Sequence, residues 1–190
     1  LPSADKVMIL MAFVKKAGIA HIEKQLAALR DRKVEVRLIT SVYMGGTQAE
    51  ALDRLVNEFN VKVKVSYDAD VIRLHAKAWL IERETGFSTA IIGSSNMSDS
   101  AMASGVEWNV RMSSISSPDV LDQFRVAFET FWSSSSFKEY LPERDRKTLD
   151  EALKFANSGS AREETFNFIP NLEVEPRRHQ LKMLEDLSFE

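Results

Sequence analysis

Apolar and polar positions along the first two-thirds of the chain follow two rhythms, one of strands and one of helices. Val7–Val14 is an unbroken apolar run of eight residues. That predicts a strand covered on both faces. Ile19, Ile22, Leu26 and Leu29 then recur at helical spacing. Val34, Val36 and Leu38 alternate with Glu35 and Arg37 and predict a second strand. Gly45-Gly46 reads as a turn. Thr47 and Glu50 have the spacing of a capping box ahead of a helix carrying Leu52, Leu55, Val56 and Phe59. Val61, Val63 and Val65 alternate with Lys62 and Lys64, a third strand with one wet face. Leu74–Glu82 and Thr89–Gly93 read as two strands joined by a turn at Thr85-Gly86, and Val106–Met112 as another. Ser117-Pro118 opens a helix with Val120, Leu121, Phe124, Phe128 and Phe131 on its apolar face. The βαβαβ opening predicts an α/β fold, a mixed sheet with helices on both faces.

The serine run Ser133–Ser136 predicts a boundary. Residues 1–132 read as the α/β domain. Residues 133–158 read as a helical extension, with a helix over Leu149–Ala156. Polar Asn157–Glu164 reads as a linker, and 159–190 as linker plus the start of another domain. Gln180–Leu187 has a helical pattern. The chain opens on Leu1 and stops just after that pattern, so it reads as a piece of a longer protein.

Composition narrows the chemistry. The charged fraction is 28% and the apolar fraction 44%, enough for a full core. Net charge is −3, so any nucleic-acid contact must be a local patch. Residues 1–132 are balanced, with 16 basic and 16 acidic side chains, and the acidity sits in the tail. With no cysteine there is no disulfide, no thiol nucleophile and no thiolate metal site. No run approaches the roughly 20 apolar residues of a membrane helix, and no basic-then-apolar leader opens the chain. A cytoplasmic protein is expected.

Of three histidines, His21 falls on the polar side of the first helix and His179 lies in the tail. His75 sits on a strand, two residues from Lys77. Alternation puts His75, Lys77, Trp79 and Ile81 on one face and Ala76, Ala78, Leu80 and Glu82 on the other. A nucleophile or base and a cation on one face suit a phosphate; a solvated pair on an edge strand is the other reading. Gly93-Ser94-Ser95-Asn96 ends an apolar strand in small hydrogen-bonding residues. It reads either as a helix N-cap or as a phosphate cradle. Glu107 interrupts an apolar strand. It reads either as a surface acid paired with Arg111 or as the acceptor that orients a histidine.

Taken in order, these residues resemble the phospholipase D superfamily, whose signature is H-x-K-x4-D, then G-S/G-x-N, then a later glutamate. This chain reads His75-Ala76-Lys77, four residues, Glu82, then Gly93-Ser94-Ser95-Asn96, then Glu107. Glu82 stands where the family has Asp and lies on the opposite face, so a structural role is expected of it. The spacer Arg83–Ile92 is longer than usual, which fits a longer hairpin loop around Gly86. The sequences around His75–Trp79, Thr85–Thr89 and Gly105–Val110 are similar to a nuclease-like branch found at the N-terminal side of bacterial superfamily 2 helicases, also described as restriction-type helicases. Glu175-Pro176-Arg177-Arg178-His179-Gln180 resembles the segment that opens the helicase motor. No G-x-x-x-x-G-K-[ST] is present, so this chain does not hydrolyse ATP by that route.

The resemblance implies a phosphodiesterase that needs no metal and no cofactor, with DNA as substrate. It implies His75 as nucleophile, forming a phosphohistidine, with Lys77, Ser94, Ser95 and Asn96 holding phosphate oxygens and Glu107 orienting His75. The family uses two H-x-K motifs and this chain has one, so a homodimer is implied, with the helicase domain covalently continuous. Lys15, Lys16, Lys62 and Lys64 are candidate backbone contacts. A non-catalytic DNA-binding or dimerisation module and a phospholipid phosphodiesterase are the alternatives. The lack of a basic amphipathic helix argues against a membrane surface.

Overall fold

The computed structural model describes residues 1, 3–68 and 73–163. Leu1–Ser160 form one compact unit. The Pro176–Gln180 segment and the apolar stretch that follows it lie outside the described residues.

Among the described residues seven strands form one mixed sheet, ordered β6-β5-β4-β1-β2-β3-β7. They are β1 Lys6–Met11, β2 Glu35–Ser41, β3 Lys62–Ser66, β4 Lys77–Glu82, β5 Thr89–Gly93, β6 Asn109–Ser113 and β7 Lys138–Glu139. β1, β2 and β3 run parallel, and β4, β5, β6 and β7 are joined antiparallel. The helices are α1 Lys16–Ala20, α2 Glu23–Asp31, α3 Ala49–Phe59, α4 Pro118–Ser133 and α5 Pro142–Glu163.

The apolar run of β1 serves both faces of the sheet. Val7, Ile9 and Met11 join Leu26, Leu29, Leu52 and Leu55 of α2 and α3 in one core. Met8 and Leu10 join Leu121, Phe124 and Phe128 of α4 in the other. Helices therefore cover both faces, as the periodicity predicts. The β4 alternation splits as predicted from Lys77 on, with Ile81 and Trp79 in the first core and Ala78 and Leu80 in the second. The strand expected from Leu74 begins only at Lys77, however, so His75 lies ahead of it.

Several local expectations are corrected. The helix expected through Ile19–Leu29 is broken into α1 and α2, because Ile22 takes a non-helical φ/ψ of −120°/11°. Thr47 does not cap α3, whose N-cap is Gln48 without a side-chain bond. The Thr47 hydroxyl is turned inward instead, donating to Ser41 O at 3.2 Å and accepting the Val14 N–H at 3.4 Å. β6 starts at Asn109, three residues later than expected. Polar 157–163 continues α5. Of the wet face expected on β3, Lys62 is exposed and paired with Glu35 at 2.7 Å. Lys64 is half-buried against the Trp132 ring, 5.2 Å from its centroid.

Past Ser133 the chain keeps building the same unit. β7 pairs with β3. Tyr140 and Leu149 are 1% and 0% exposed in the core of α2 and α3. Arg146 of α5 reaches Glu50 and Asp53 of α3. Leu149→Ala is therefore expected to cost about 2–5 kcal/mol. A urea midpoint unchanged from wild type would mean that α5 is peripheral to the fold.

Candidate active site

The parallel strands β1–β3 end on the same side of the sheet at which antiparallel β4 begins. Met11 pairs with Lys77 at that end. One residue further, the Ala12 N–H donates to Ala76 O at 2.9 Å. The next backbone donor, Phe13 N–H, goes to Asn96 Oδ1 at 3.2 Å. Met97 N–H then donates to Phe13 O and Lys15 N–H to Met97 O. The end of β1 thus ties the segment before β4 and the segment after β5 to one place. His75 is held here too, with the Phe13 ring edge-on at 6.4 Å between centroids.

Two glycines make this approach possible. A Cβ on Gly93 would overlap Trp108 O, and one on Gly18 would overlap the Met97 carbonyl carbon. Both clashes are with backbone, so α1 and the start of β6 close on the Gly93–Ser98 segment only where no side chain intervenes.

His75 is exposed, whereas Lys77 is 7% exposed. Lys77 Nζ donates to His75 O at 2.9 Å and lies 3.0 and 2.9 Å from the two ring nitrogens. Partial burial and then the Lys77 charge hold the His75 pKa below its ordinary 6.5. The ring is therefore neutral at neutral pH, with a lone pair available. Burial lowers the Lys77 pKa as well, and the Glu107 carboxylate opposes that shift.

Asn96 uses its carbonyl on Phe13, which leaves its amide hydrogens as donors. Ser94 donates its hydroxyl to Glu107 Oε2 and accepts the Trp108 N–H at 3.0 Å. Among the described residues no hydrogen bond joins Glu107 to His75; the carboxylate acts on Ser94 and, through space, on Lys77. Ser95 accepts from Asn109 Nδ2 at 2.7 Å. Glu82 lies on the other face, bonded to Arg125 of α4 at 2.6 Å. His21 pairs with Asp99 at 2.8 Å. Lys15 and Lys16 are exposed at the start of α1 and make no ion pair among the described residues. Sequence reasoning missed Phe13 and Asn109, because a strand-end aromatic and a strand asparagine carry no signal of their own.

One neutral imidazole, an ammonium and an amide donor can bind an oxyanion and attack it. They supply a single acid–base group. Among the described residues, no helix is long and apolar enough to cross a membrane.

The family model described as "Cardiolipin synthase, PLD-like domain" matches residues 3–132. No curated protein matches the chain. Among solved structures it is similar to Nuc of Salmonella typhimurium, a phospholipase D family member. Identity is 19% over 73% of this chain and 84% of that one, with a TM-score of 0.55. NucT of Helicobacter pylori is 14% identical over 73% and 85%, with a TM-score of 0.56. A phosphatidylserine synthase of Haemophilus influenzae is 13% identical over 84% and 41%, with a TM-score of 0.52. At these identities the likeness is one of fold.

The ring environment has a direct readout. The His75 resonance should titrate below about 6.5 by NMR, and Lys77→Met should move it upward by removing the neighbouring charge. Because the folded state resists that proton, the stability carried by the neutral ring is lost as pH falls from about 6.5 through the folded value. A His75 midpoint at or above 6.5 would contradict the geometry.

Proposed function

Because the chain belongs to the family of PLD-like domains, we propose that it is a metal-independent phosphodiesterase acting on nucleic acid through a phosphohistidine. The observation that carries this reading is the His75 ring 2.9 Å from the buried Lys77 ammonium, with Asn96 tied through Phe13 to the same strand end and its amide hydrogens left as donors. The His75 lone pair attacks phosphorus, an N–P bond forms and the P–O bond to the leaving group breaks. Lys77 and Asn96 hold the non-bridging oxygens as their charge grows. Ser94 and Ser95 support that cradle, and Glu107 keeps the Ser94 hydroxyl oriented and the Lys77 ammonium charged.

The leaving oxygen needs a proton, and a neutral His75 cannot both attack and donate. A second copy of the chain, its His75 facing the first and favoured in the protonated form once the anionic phosphodiester lies between the two rings, supplies the acid and so makes a homodimer part of the reading. Water then attacks the phosphohistidine, the second imidazole takes the water proton, and the N–P bond breaks. DNA is the substrate favoured, since the segment from Pro176 to Gln180 resembles the opening of a helicase motor. In that reading the domain acts on, or grips, the DNA that the motor handles. Lys15 and Lys16 are the cations left to track its backbone, because Lys62 and Lys64 are engaged by Glu35 and Trp132.

The test is cleavage of labelled single- and double-stranded DNA in EDTA, with a phosphatidylcholine analogue in parallel. His75→Ala should lower the rate by several orders of magnitude. Full activity in that variant, loss of wild-type activity with EDTA, or turnover of the lipid alone would each overturn the reading.

Binding to DNA should weaken steeply with salt. Replacing Lys15 and Lys16 together with Ala should flatten the slope of log K against log salt by about 1–2, whereas replacing Lys62 and Lys64 should leave it unchanged. Equal slopes for both double variants would move the DNA track elsewhere.

A further inference from the structure

From Lys77, two residues after His75, one face of β4 runs on into Trp79 and Ile81. A groove of about 260 Å³, bordered by Leu1 and Ile22 as well, opens beside Lys77. Trp79, Ile91 and Met102 line it, with Ile81 largely buried behind them. Met102 lies on the π-helical turn Ser100–Ser104 and is 37% exposed. The groove is apolar except at the end nearest the site, where Lys77, Ser95 and Asn109 line it. Lys77 is thus shared: its ammonium stands beside His75, and its stem borders the groove.

We propose that this groove holds one unpaired nucleobase of the substrate, next to the phosphate that His75 attacks and against the Trp79 indole. The inference rests on the nuclease reading and names what that site recognises besides phosphate. Three features select this occupant. The groove begins at the phosphate-binding lysine, so what enters it must be joined to the phosphate through a short link. Its aromatic lining offers a stacking surface that accepts any base, because every base has a π-face. At its polar end Asn109 Nδ2 is given to Ser95 Oγ, which leaves the Ser95 O–H as donor and Asn109 Oδ1 as acceptor for the edge of a base, groups with no counterpart on an alkyl chain. The Met102 side chain is unbranched and polarizable, so it can follow bases of different size. A base inside a duplex is stacked on both sides and paired along that edge. It reaches the groove only from a single strand or after being turned out of the stack. The site therefore prefers single-stranded substrate and is tolerant of sequence.

The probe is a short single-stranded oligonucleotide whose linkages are methylphosphonates except for one phosphodiester, which fixes where cleavage occurs. It is compared with versions carrying an abasic tetrahydrofuran residue on one side of that linkage or the other. For the wild-type protein, removing the base on one side is expected to lower kcat/KM about tenfold or more, and removing the other to change it little. Trp79→Leu and Met102→Ala should lower kcat/KM on the intact probe and lose most of the sensitivity to the abasic residue. Met102 lies on an exposed turn, so that variant keeps the test sound if Trp79→Leu loses its cooperative melting. Equal cleavage of the intact probe and both abasic probes would overturn the groove assignment while leaving the nuclease reading in place. So would an abasic effect undiminished in Met102→Ala and a folded Trp79→Leu. Failure to cleave any of the oligonucleotides, with turnover of the phosphatidylcholine analogue, would instead overturn the nuclease reading and the base site with it.

Discussion

The backbone donors at the end of β1 have nowhere to go but into the site. β1 is buried from Val7 to Met11 and Ala12 beyond it is buried too, and a buried N–H left unpaired costs about 1–3 kcal/mol. Phe13 is half-buried and Lys15 exposed, so the cost falls mainly on the Ala12 donor. Ala12, Phe13 and Lys15 satisfy theirs on Ala76 O, Asn96 Oδ1 and Met97 O. Each of these acceptors lies within two residues of a side chain of the candidate chemistry or belongs to one. Folding the central strand and assembling the crevice are therefore one event. Residues that are 21 positions apart in sequence, His75 and Asn96, are brought together by main-chain bonds from a third segment.

The two faces of the sheet divide the labour. On the face under α4, Arg37 is 6% exposed, ion-paired with Glu129 and stacked 5.2 and 5.1 Å from the Phe128 and Trp132 centroids. Glu82 with Arg125 adds a second clasp to the same helix. A buried guanidinium is tolerated there because a carboxylate and two aromatic faces replace its water. That face is sealed by α4 over much of its length. The opposite face carries the Lys77 ammonium and the groove that runs to Met102, with the His75 imidazole just ahead of the strand, so the candidate site and an apolar recess meet at Lys77.

Electrostatics give the crevice its character without a large net charge. The whole chain is slightly acidic, yet the strongest cation in the crevice is largely buried and stands against a ring that prefers to be neutral. This arrangement favours an incoming anion over a proton. It also leaves one copy short of an acid, which is the physical ground for reading the site as half of a pair.

Much of this is legible in the chain. The eight-residue apolar run has the pattern of a doubly covered strand, and β1 is one. The period-two placement of Lys77, Trp79 and Ile81 opposite Glu82 is kept by the folded β4, but His75, expected on the same strand, precedes it, because β4 begins only at Lys77. The serine run has the composition of a boundary, yet β7, Tyr140 and Leu149 belong to the same compact unit, since nothing local marks a two-residue strand that pairs with β3. Thr47 has the spacing of a cap but is drawn inward by the carbonyl groups of Ala12 and Ser41. Glu107 has the place in the chain of a partner to His75, but its carboxylate takes the Ser94 hydroxyl instead. Sequence alone determined which residues are candidates for chemistry and that Lys77, Trp79 and Ile81 share one face of a strand, because side-chain type and alternation are local properties. Only the tertiary structure decided which of them meet, that Phe13 joins them and that a groove lies beside Lys77. Those depend on where buried donors from distant segments find acceptors, and no local pattern encodes that.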